Sequence, residues 1–186
     1  GGAWAKMVTN NMEDYQVSVE VTGGPVHNIK LVNERMTEFG LCSMPAAYDG
    51  YKGLRWAKDS NYKNIRALFP MYPSYATIWT LAKYDIKNVD DINGRVINLA
   101  PKGGTPDTYY RIMFDILDIK PKKIVNSGFT DLVGQLKDGM IEVGAGTGGS
   151  PFGPALETEA THDIRLVEFS EEDRNKILDQ LPSWFK

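Results

Sequence analysis

The sequence predicts an α/β protein in which helices alternate with mainly parallel strands. Two observations carry this prediction. Short β-branched and apolar runs alternate along the chain with longer runs whose apolar residues recur at helical spacing. Glycine and proline mark the junctions between these runs. Such alternation is typical of layered α/β domains built around a parallel sheet.

The runs predicted as strands are rich in β-branched, aromatic and other apolar residues. They are residues 16–21, 41–43, 65–70, 76–82, 95–99, 123–125, 141–144 and 164–169. The runs predicted as helices have capping residues or proline at their starts and apolar residues on one face. They are residues 3–12, 25–38, 46–50, 106–117, 131–137, 154–159 and 171–181.

The run at 76–82 is the longest and most β-prone of the predicted strands. A strand of this length is suited to cross between two lobes, and residues 164–169 are suited to cross back. The predicted organisation is therefore a first lobe at 1–80, a second lobe at 81–165, and a return segment at 166–186.

Two glycine-opened turns, each between a predicted strand and a predicted helix, are the main functional signal. In one, Gly103 and Gly104 precede Thr105, a good N-cap, and Pro106, which fits the first helical position. In the other, Thr22-Gly23-Gly24-Pro25 follows the run at 16–21. Such helix starts leave N–H groups and a positive dipole end free for an anion. Ordinary βα turns share these residues. Because two such turns occur, we predict that the protein has two halves, each with one turn, which grip one small anion between them.

Composition excludes several classes of function. The formal net charge is −3 and basic residues are scattered, so no nucleic-acid surface is predicted. The apolar runs are too short to span a membrane. The single cysteine, Cys42, ends a predicted strand and is expected to be a buried free thiol. Because Cys42, His27 and His162 lack metal-ligand spacing, no metal or cofactor is predicted.

A second glycine-rich segment imitates a dinucleotide-binding motif. Gly144, Gly146 and Gly149 match G-x-G-x-x-G after a predicted strand, and Glu168 ends another strand about twenty residues later. However, proline and glycine follow at residues 151, 153 and 154, where the motif needs a long helix. A glycine-rich strand and loop is the preferred interpretation.

The ordered motifs resemble those of the TAXI proteins, the extracytoplasmic solute receptors of tripartite (TRAP) transporters. The resembling segments occur in family order over nearly the whole chain. They are Thr22-Gly23-Gly24-Pro25-Val26-His27-Asn28, Ala47-Tyr48-Asp49, Arg66-Ala67-Leu68 with Tyr72-Pro73, Val89 to Ala100, Gly103-Gly104-Thr105, Leu136-Lys137-Asp138-Gly139 and Gly149-Ser150-Pro151. Among the departures, Pro25 replaces a usual serine and Lys102 adds a cation to a loop that is often neutral.

The resemblance implies a type II periplasmic-binding-protein fold, with two α/β lobes around a ligand cleft and a first lobe incomplete in this chain. It implies no catalysis, a periplasmic or other extracytoplasmic location, and contact with the membrane only through TRAP membrane subunits. The expected ligand is a small organic anion such as glutamate or 2-oxoglutarate. The predicted ligand-binding residues are Gly24, Asn28, Tyr48, Tyr72, Lys102, Gly103, Gly104, Thr105 and Gly149.

Two other hypotheses stay open from the sequence. The first is an NAD(P)-dependent oxidoreductase that uses the loop of Gly144, Gly146 and Gly149. The second is the ligand-sensing effector domain of a regulator, which can share the two-lobed fold. Binding of labelled NAD compared with labelled glutamate separates the first hypothesis from the receptor hypothesis.

Overall fold

The computed structural model describes residues 1–182 and 185, and within them a single open sheet is formed by strands between residues 75 and 166. Its strands are β1 (Tyr75–Leu81), β2 (Val96–Asn98), β3 (Lys123–Val125), β4 (Val143–Gly148) and β5 (Ile164–Leu166). Their order across the sheet is β3-β2-β4-β1-β5. The predicted α/β class is confirmed.

Strand direction differs from the prediction in one half of this sheet. β2 runs parallel to both β3 and β4, as expected. β1 is antiparallel to both β4 and β5, with Tyr75 opposite Gly148 and Thr80 opposite Val143. Because β1 enters from the edge at which β2 and β4 end, the start of β1 lies beside the carboxyl end of β4.

The helices cover both faces of the sheet, and three of the described α-helices precede β1. They are α1 (Gly2–Asn11), α2 (Pro25–Asn33), α3 (Met44–Lys52), α4 (Thr105–Leu117), α5 (Phe129–Lys137), α6 (Gly153–Glu159) and α7 (Glu171–Gln180). Short 3₁₀ turns lie at Arg55–Ala57, Ala82–Tyr84 and Val89–Ile92. The 3₁₀ turn at Val89–Ile92 is followed by a glycine turn, with Gly94 at φ 73°, and then by β2.

The core consists of two layers separated by the sheet. α4 and α7 cover one face, where Ile78, Tyr110 and Phe114 are buried together. α5 and α6 cover the other face, around Trp79 and Leu132. Ile78 and Trp79 are adjacent in β1 and point to opposite faces, as alternation along a strand requires.

Strands predicted at 16–21, 41–43 and 65–70 are wrong, because the structure has no strand in these segments. Each has strand-like composition, yet none finds a ladder partner among the described residues. A β conformation depends on pairing with a neighbouring strand, so composition alone does not produce one. Several apolar side chains in these segments stay exposed, including Val21 and Leu68.

Two other local predictions are wrong. The helix expected at 25–38 ends at Asn33, because Arg35 adopts φ 61° and the Met36 N–H donates to the Leu31 carbonyl, which closes the last turn. Cys42 is exposed rather than buried, since its segment is not part of a sheet. In the part of the chain that the structure describes, no helix has both the length and the apolar character needed to cross a bilayer.

Candidate functional site

Three helices begin at one place, where the first part of the chain meets the carboxyl edge of the sheet. α2 follows Gly24, α3 follows Ser43 and α4 follows Gly104. Each has proline at its first or second position, which fixes φ for the first turn and removes an N–H that has no helical acceptor there. We call the residues Gly24, Ser43, Gly104 and Thr105 the helix-start junction.

The junction is held by direct contacts between its three helix starts. A Cβ placed on Gly24 would lie 4.0 Å from the Gly104 Cα, so the two glycine turns face each other closely. Gly24 has φ 105°, a conformation that favours glycine. The Ser43 Oγ lies 2.7 Å from the Thr105 Oγ1. The two glycine-opened helix starts are therefore neighbours in the structure, and their grip on an anion stays a prediction.

Helix α4 begins one residue earlier than the sequence predicts. Gly104 is the N-cap and its carbonyl accepts from the Thr108 N–H at 3.1 Å, so Thr105 is the first helical residue. The predicted N-cap role of Thr105 is wrong for this reason. Its hydroxyl instead bonds Ser43 across the junction.

The unpaired donors at the start of α4 are the N–H groups of Thr105 and Asp107, which have no acceptor among residues 1–182 and 185. Pro106 has no N–H, and the Gly104 N–H donates to the Pro101 carbonyl at 3.0 Å. The Gly104 N–H, which the sequence predicts to face an anion, is therefore used within its own turn. The first turn of α4 keeps the positive end of the helix dipole.

The carboxylate of Asp107 lies beside these donors. It accepts from the Gly103 N–H at 3.0 Å, from Arg111 Nε at 2.8 Å and from Asn126 Nδ2 at 3.1 Å. Burial alone would raise the pKa of Asp107, but these hydrogen bonds and the Arg111 charge hold it below its usual range. Gly103 thus donates to a fixed internal carboxylate, and that negative charge offsets part of the dipole of α4.

The loop before α4 is held in a strained shape by two asparagines. Ala100 is fully buried with φ 58°, a conformation that costs free energy for a residue with a Cβ. Its N–H donates to Asn98 Oδ1 at 2.9 Å, and its carbonyl accepts from Asn126 Nδ2 at 2.9 Å. Because Asn126 also binds Asp107, the loop and the first turn of α4 are fixed together.

The N–H groups in the turn before α2 donate to side chains of the same segment. The Gly24 N–H donates to Thr22 Oγ1 at 3.2 Å, and the Gly23 N–H donates to His27 Nδ1 at 3.1 Å. Asn28 accepts from the Thr22 hydroxyl and donates to the Leu41 carbonyl at 2.7 Å. The predicted ligand groups Gly24 and Asn28 therefore lie at the junction and have local partners there.

The remaining predicted site residues lie in different places. Tyr72 and Gly149 lie together, since a Cβ on Gly149 would be 3.6 Å from the Tyr72 ring. Tyr48 lies on α3 and is partly exposed. Lys102 is exposed, and no ion pair joins it to another described residue.

A buried polar link next to the junction is not among the sequence predictions. The side chain of Asp49, on α3, is fully buried, bonds Arg55, and accepts from the Tyr109 hydroxyl of α4 at 3.2 Å. Burial raises the pKa of Asp49, although Arg55 and Tyr109 oppose that rise. The sequence offered only a weak signal for this contact, because both residues fall on the buried faces of their helices. Ser43 was findable, as a serine before Met44-Pro45 is a helix N-cap pattern.

The dinucleotide-like glycines are part of the packing of the sheet. Gly144 and Gly146 lie inside β4, and a Cβ on Gly146 would come within 2.4 Å of the Phe152 ring. The helix that follows, α6, has seven residues and starts only at Gly153. Glu168 is exposed, and its backbone forms an isolated parallel β-bridge with that of Asn88. This geometry does not support the dinucleotide hypothesis, since no long helix starts within the motif.

Comparison with known proteins gives a family and several distant structural likenesses. The sequence model of the NMT1-like family matches residues 1–186. A periplasmic binding protein of an ABC transporter from Brucella ovis, solved with glutathione, is 14% identical and has a TM-score of 0.46. An ancestral arginine-binding protein bound to arginine is 17% identical, with a TM-score of 0.41. An arginine transport periplasmic binding protein from Legionella pneumophila is 15% identical, with a TM-score of 0.37.

These structural matches are partial in both directions. They cover 52%, 59% and 53% of this chain, in the same order. The chain in turn spans 30%, 54% and 42% of the matched chains. The division into lobes at 1–80 and 81–165 stays a prediction.

Proposed function

The chain belongs to the NMT1-like family, and from that membership and the helix-start junction we propose that it is a non-catalytic binding protein for a small organic anion. The observation that carries the proposal is the pair of N–H groups on Thr105 and Asp107, which point from the start of α4 without an acceptor among the described residues. A carboxylate supplies the acceptor that these donors lack.

The junction suits one carboxylate better than two. The Thr105 hydroxyl lies between Ser43 and the first turn of α4, where it can donate to a ligand oxygen. The dipoles of α2, α3 and α4 all present their positive ends there. Asp107 already places one negative charge at this point, and a second ligand carboxylate close to it would be repelled.

The resemblance to the TAXI receptors supports a more specific version of this proposal. In that version the ligand is glutamate, 2-oxoglutarate or a similar acid, and the protein acts in the periplasm or another extracytoplasmic space. It delivers the acid to the membrane subunits of a TRAP transporter. Because the chain spans only part of the matched binding proteins, transport by the whole protein belongs to the proposal as well.

Equilibrium dialysis tests the proposed function directly. Labelled glutamate, 2-oxoglutarate and NAD are each dialysed against the protein at the same concentration. The proposal predicts retention of an organic acid and free passage of NAD. Retention of NAD without either acid would support the oxidoreductase hypothesis instead, and passage of all three would contradict the proposal for these ligands.

A further inference from the structure

A groove of about 580 Å³ lies at the carboxyl end of β4, outside the helix-start junction. Tyr72 and Tyr75, in the segment that leads into β1, line one part of it. Phe152, in the loop that leads into α6, lines another. Its volume falls in the range of about 300–1,000 Å³ typical of small-molecule sites.

Every residue that lines this groove is uncharged. Besides the three aromatic rings, the lining consists of Pro73 and the segment 147–153, which contains glycine, proline, threonine and serine. A charged group placed there would lose hydration without gaining a counter-charge. A flat ring would gain stacking or edge contacts with aromatic walls. The groove therefore favours an uncharged planar group over a carboxylate.

The groove has one wall fixed by packing and one open to solvent. Phe152 packs edge-on against Phe129 at 5.6 Å and against Trp79 at 5.7 Å. It lies over Gly148, where a Cβ would come within 2.8 Å of its ring. Tyr72 is 64% exposed, so much of its ring area is available for contact. The absence of a side chain on Gly149 keeps the space beside this ring open.

The groove and the junction lie at the same edge of the sheet. β2 leads into Gly104 and β4 leads into Gly149, and these strands are parallel neighbours with Asn98 opposite Gly144. Both therefore deliver their loops at their carboxyl ends, the edge at which open α/β sheets bind ligands. A solute that meets both the donors at the junction and the rings at the groove must span the distance between these two loops.

We infer that the groove receives an uncharged planar ring of the bound solute, so that the preferred ligand is a monocarboxylate with an aromatic side group rather than a small dicarboxylate. This inference rests on the proposed function, because the carboxylate is assigned to the junction. It keeps the small organic acid of the proposed function but replaces the dicarboxylates that the TAXI resemblance suggests by an aromatic monocarboxylate.

Phenylpyruvate and 2-oxoglutarate form a matched pair for the test, since both are 2-oxo acids and differ in carrying a ring or a second carboxylate. Calorimetry measures both with the wild type, Tyr72→Ala, Gly149→Ala and the control Tyr15→Ala, which removes a similarly exposed tyrosine that does not line the groove. A Cβ on Gly149 makes only ordinary contact with Tyr72, so this variant narrows the groove without a steric conflict.

We expect tighter binding of phenylpyruvate than of 2-oxoglutarate by the wild type. Tyr72→Ala should weaken phenylpyruvate binding by roughly fivefold, the effect of losing one aromatic contact, and Gly149→Ala should also weaken it. Tyr15→Ala should leave both affinities unchanged. Tighter binding of 2-oxoglutarate, or equal binding of phenylpyruvate by the wild type and Tyr72→Ala, would overturn this inference and leave the proposed function standing. Failure of both acids to bind would overturn both.

Discussion

The hydroxyl oxygens of Ser43 and Thr105 lie 2.7 Å apart, although 62 positions separate the two residues in the chain. Ser43 precedes α3 and Thr105 opens α4, so this hydrogen bond joins the first part of the chain to the sheet-bearing part. It also fixes the rotamer of a hydroxyl that borders two unpaired N–H groups. The same contact therefore contributes to the stability of the fold and positions the Thr105 hydroxyl that we propose binds the ligand.

Replacement of Thr105 by alanine should weaken binding of an organic acid by about 1–2 kcal/mol, the range for a hydrogen bond to a charged group. Thr105→Ser keeps the hydroxyl and should retain most of the affinity. Ser43→Ala should have a smaller effect, because it removes only the partner that orients Thr105. Calorimetry on the three variants measures this order. Equal affinity of Thr105→Ala and the wild type would remove Thr105 from the site.

Asp107 should make stability depend on pH in acid. Its pKa is lowered in the folded protein, so its stabilising effect is complete above the unfolded pKa of about 4 and is lost as the pH falls through the folded value. Asp107→Asn should lower the free energy of unfolding at pH 7 by about 1–3 kcal/mol. It should also reduce the fall in stability between pH 5 and pH 3, measured by urea unfolding at each pH.

Asp115 provides the matched control for this experiment, because it is an exposed carboxylate on the same helix. Asp115→Asn should leave the acid limb of the stability curve close to that of the wild type. If Asp107→Asn and Asp115→Asn gave the same curve, the hydrogen bonds from Gly103, Arg111 and Asn126 would not be the source of the pH dependence.

Lys102 should act on ligands only at long range, because its side chain is exposed at the loop before α4. Lys102→Met should lower the affinity for acids modestly at low salt, more for a dianion than for a monoanion. The difference from the wild type should disappear near 1 M salt through screening. Lys52→Met, at the exposed end of α3, serves as the control. A salt-independent loss would instead indicate direct contact between Lys102 and the ligand.

The element types in the second half of the chain were predictable from local sequence. β3 coincides with the predicted residues 123–125, and α4 starts within one residue of the predicted 106. There, each strand finds a partner in the sheet, so local pattern and tertiary pairing agree. At 16–21 and 65–70 the same kind of pattern produces no strand, because pairing is a property of the fold rather than of the segment.

The glycines of β4 show a second limit of sequence reasoning. A glycine-rich motif after a strand predicts that another group comes close to the backbone there. That group can be a ligand or a side chain of the same protein. The rings of Trp79, Phe129 and Phe152 cover Gly144 and Gly146, and one of these aromatics, Trp79, comes from a strand far from β4 in sequence. The paired helix starts were predictable because capping chemistry is local, whereas the partners of Asp107 and Asn28 depended on the folded arrangement.

Gly146→Ala should destabilise the protein by about 1–3 kcal/mol, the usual cost of overpacking a core. The added Cβ would lie 2.4 Å from a Phe152 ring atom and 3.0 Å from a Phe129 ring atom. Gly134, in α5, has open space around it, so Gly134→Ala should stabilise by about 0.4–1 kcal/mol. Thermal unfolding compares the two variants. A neutral Gly146→Ala would mean that the rings move away readily and that the glycine is kept for another reason.

Amide chemical shifts in a ¹⁵N-labelled protein show directly whether the helix-start junction binds a carboxylate, because they report on the N–H groups of the junction itself. The protein is titrated with glutamate, 2-oxoglutarate and phenylpyruvate in turn. We expect saturable shifts for an acid that binds, largest at the N–H groups of Thr105 and Asp107, with smaller shifts around Gly24. Binding of an acid with these amides unmoved, and with the largest shifts elsewhere in the chain, would contradict this expectation.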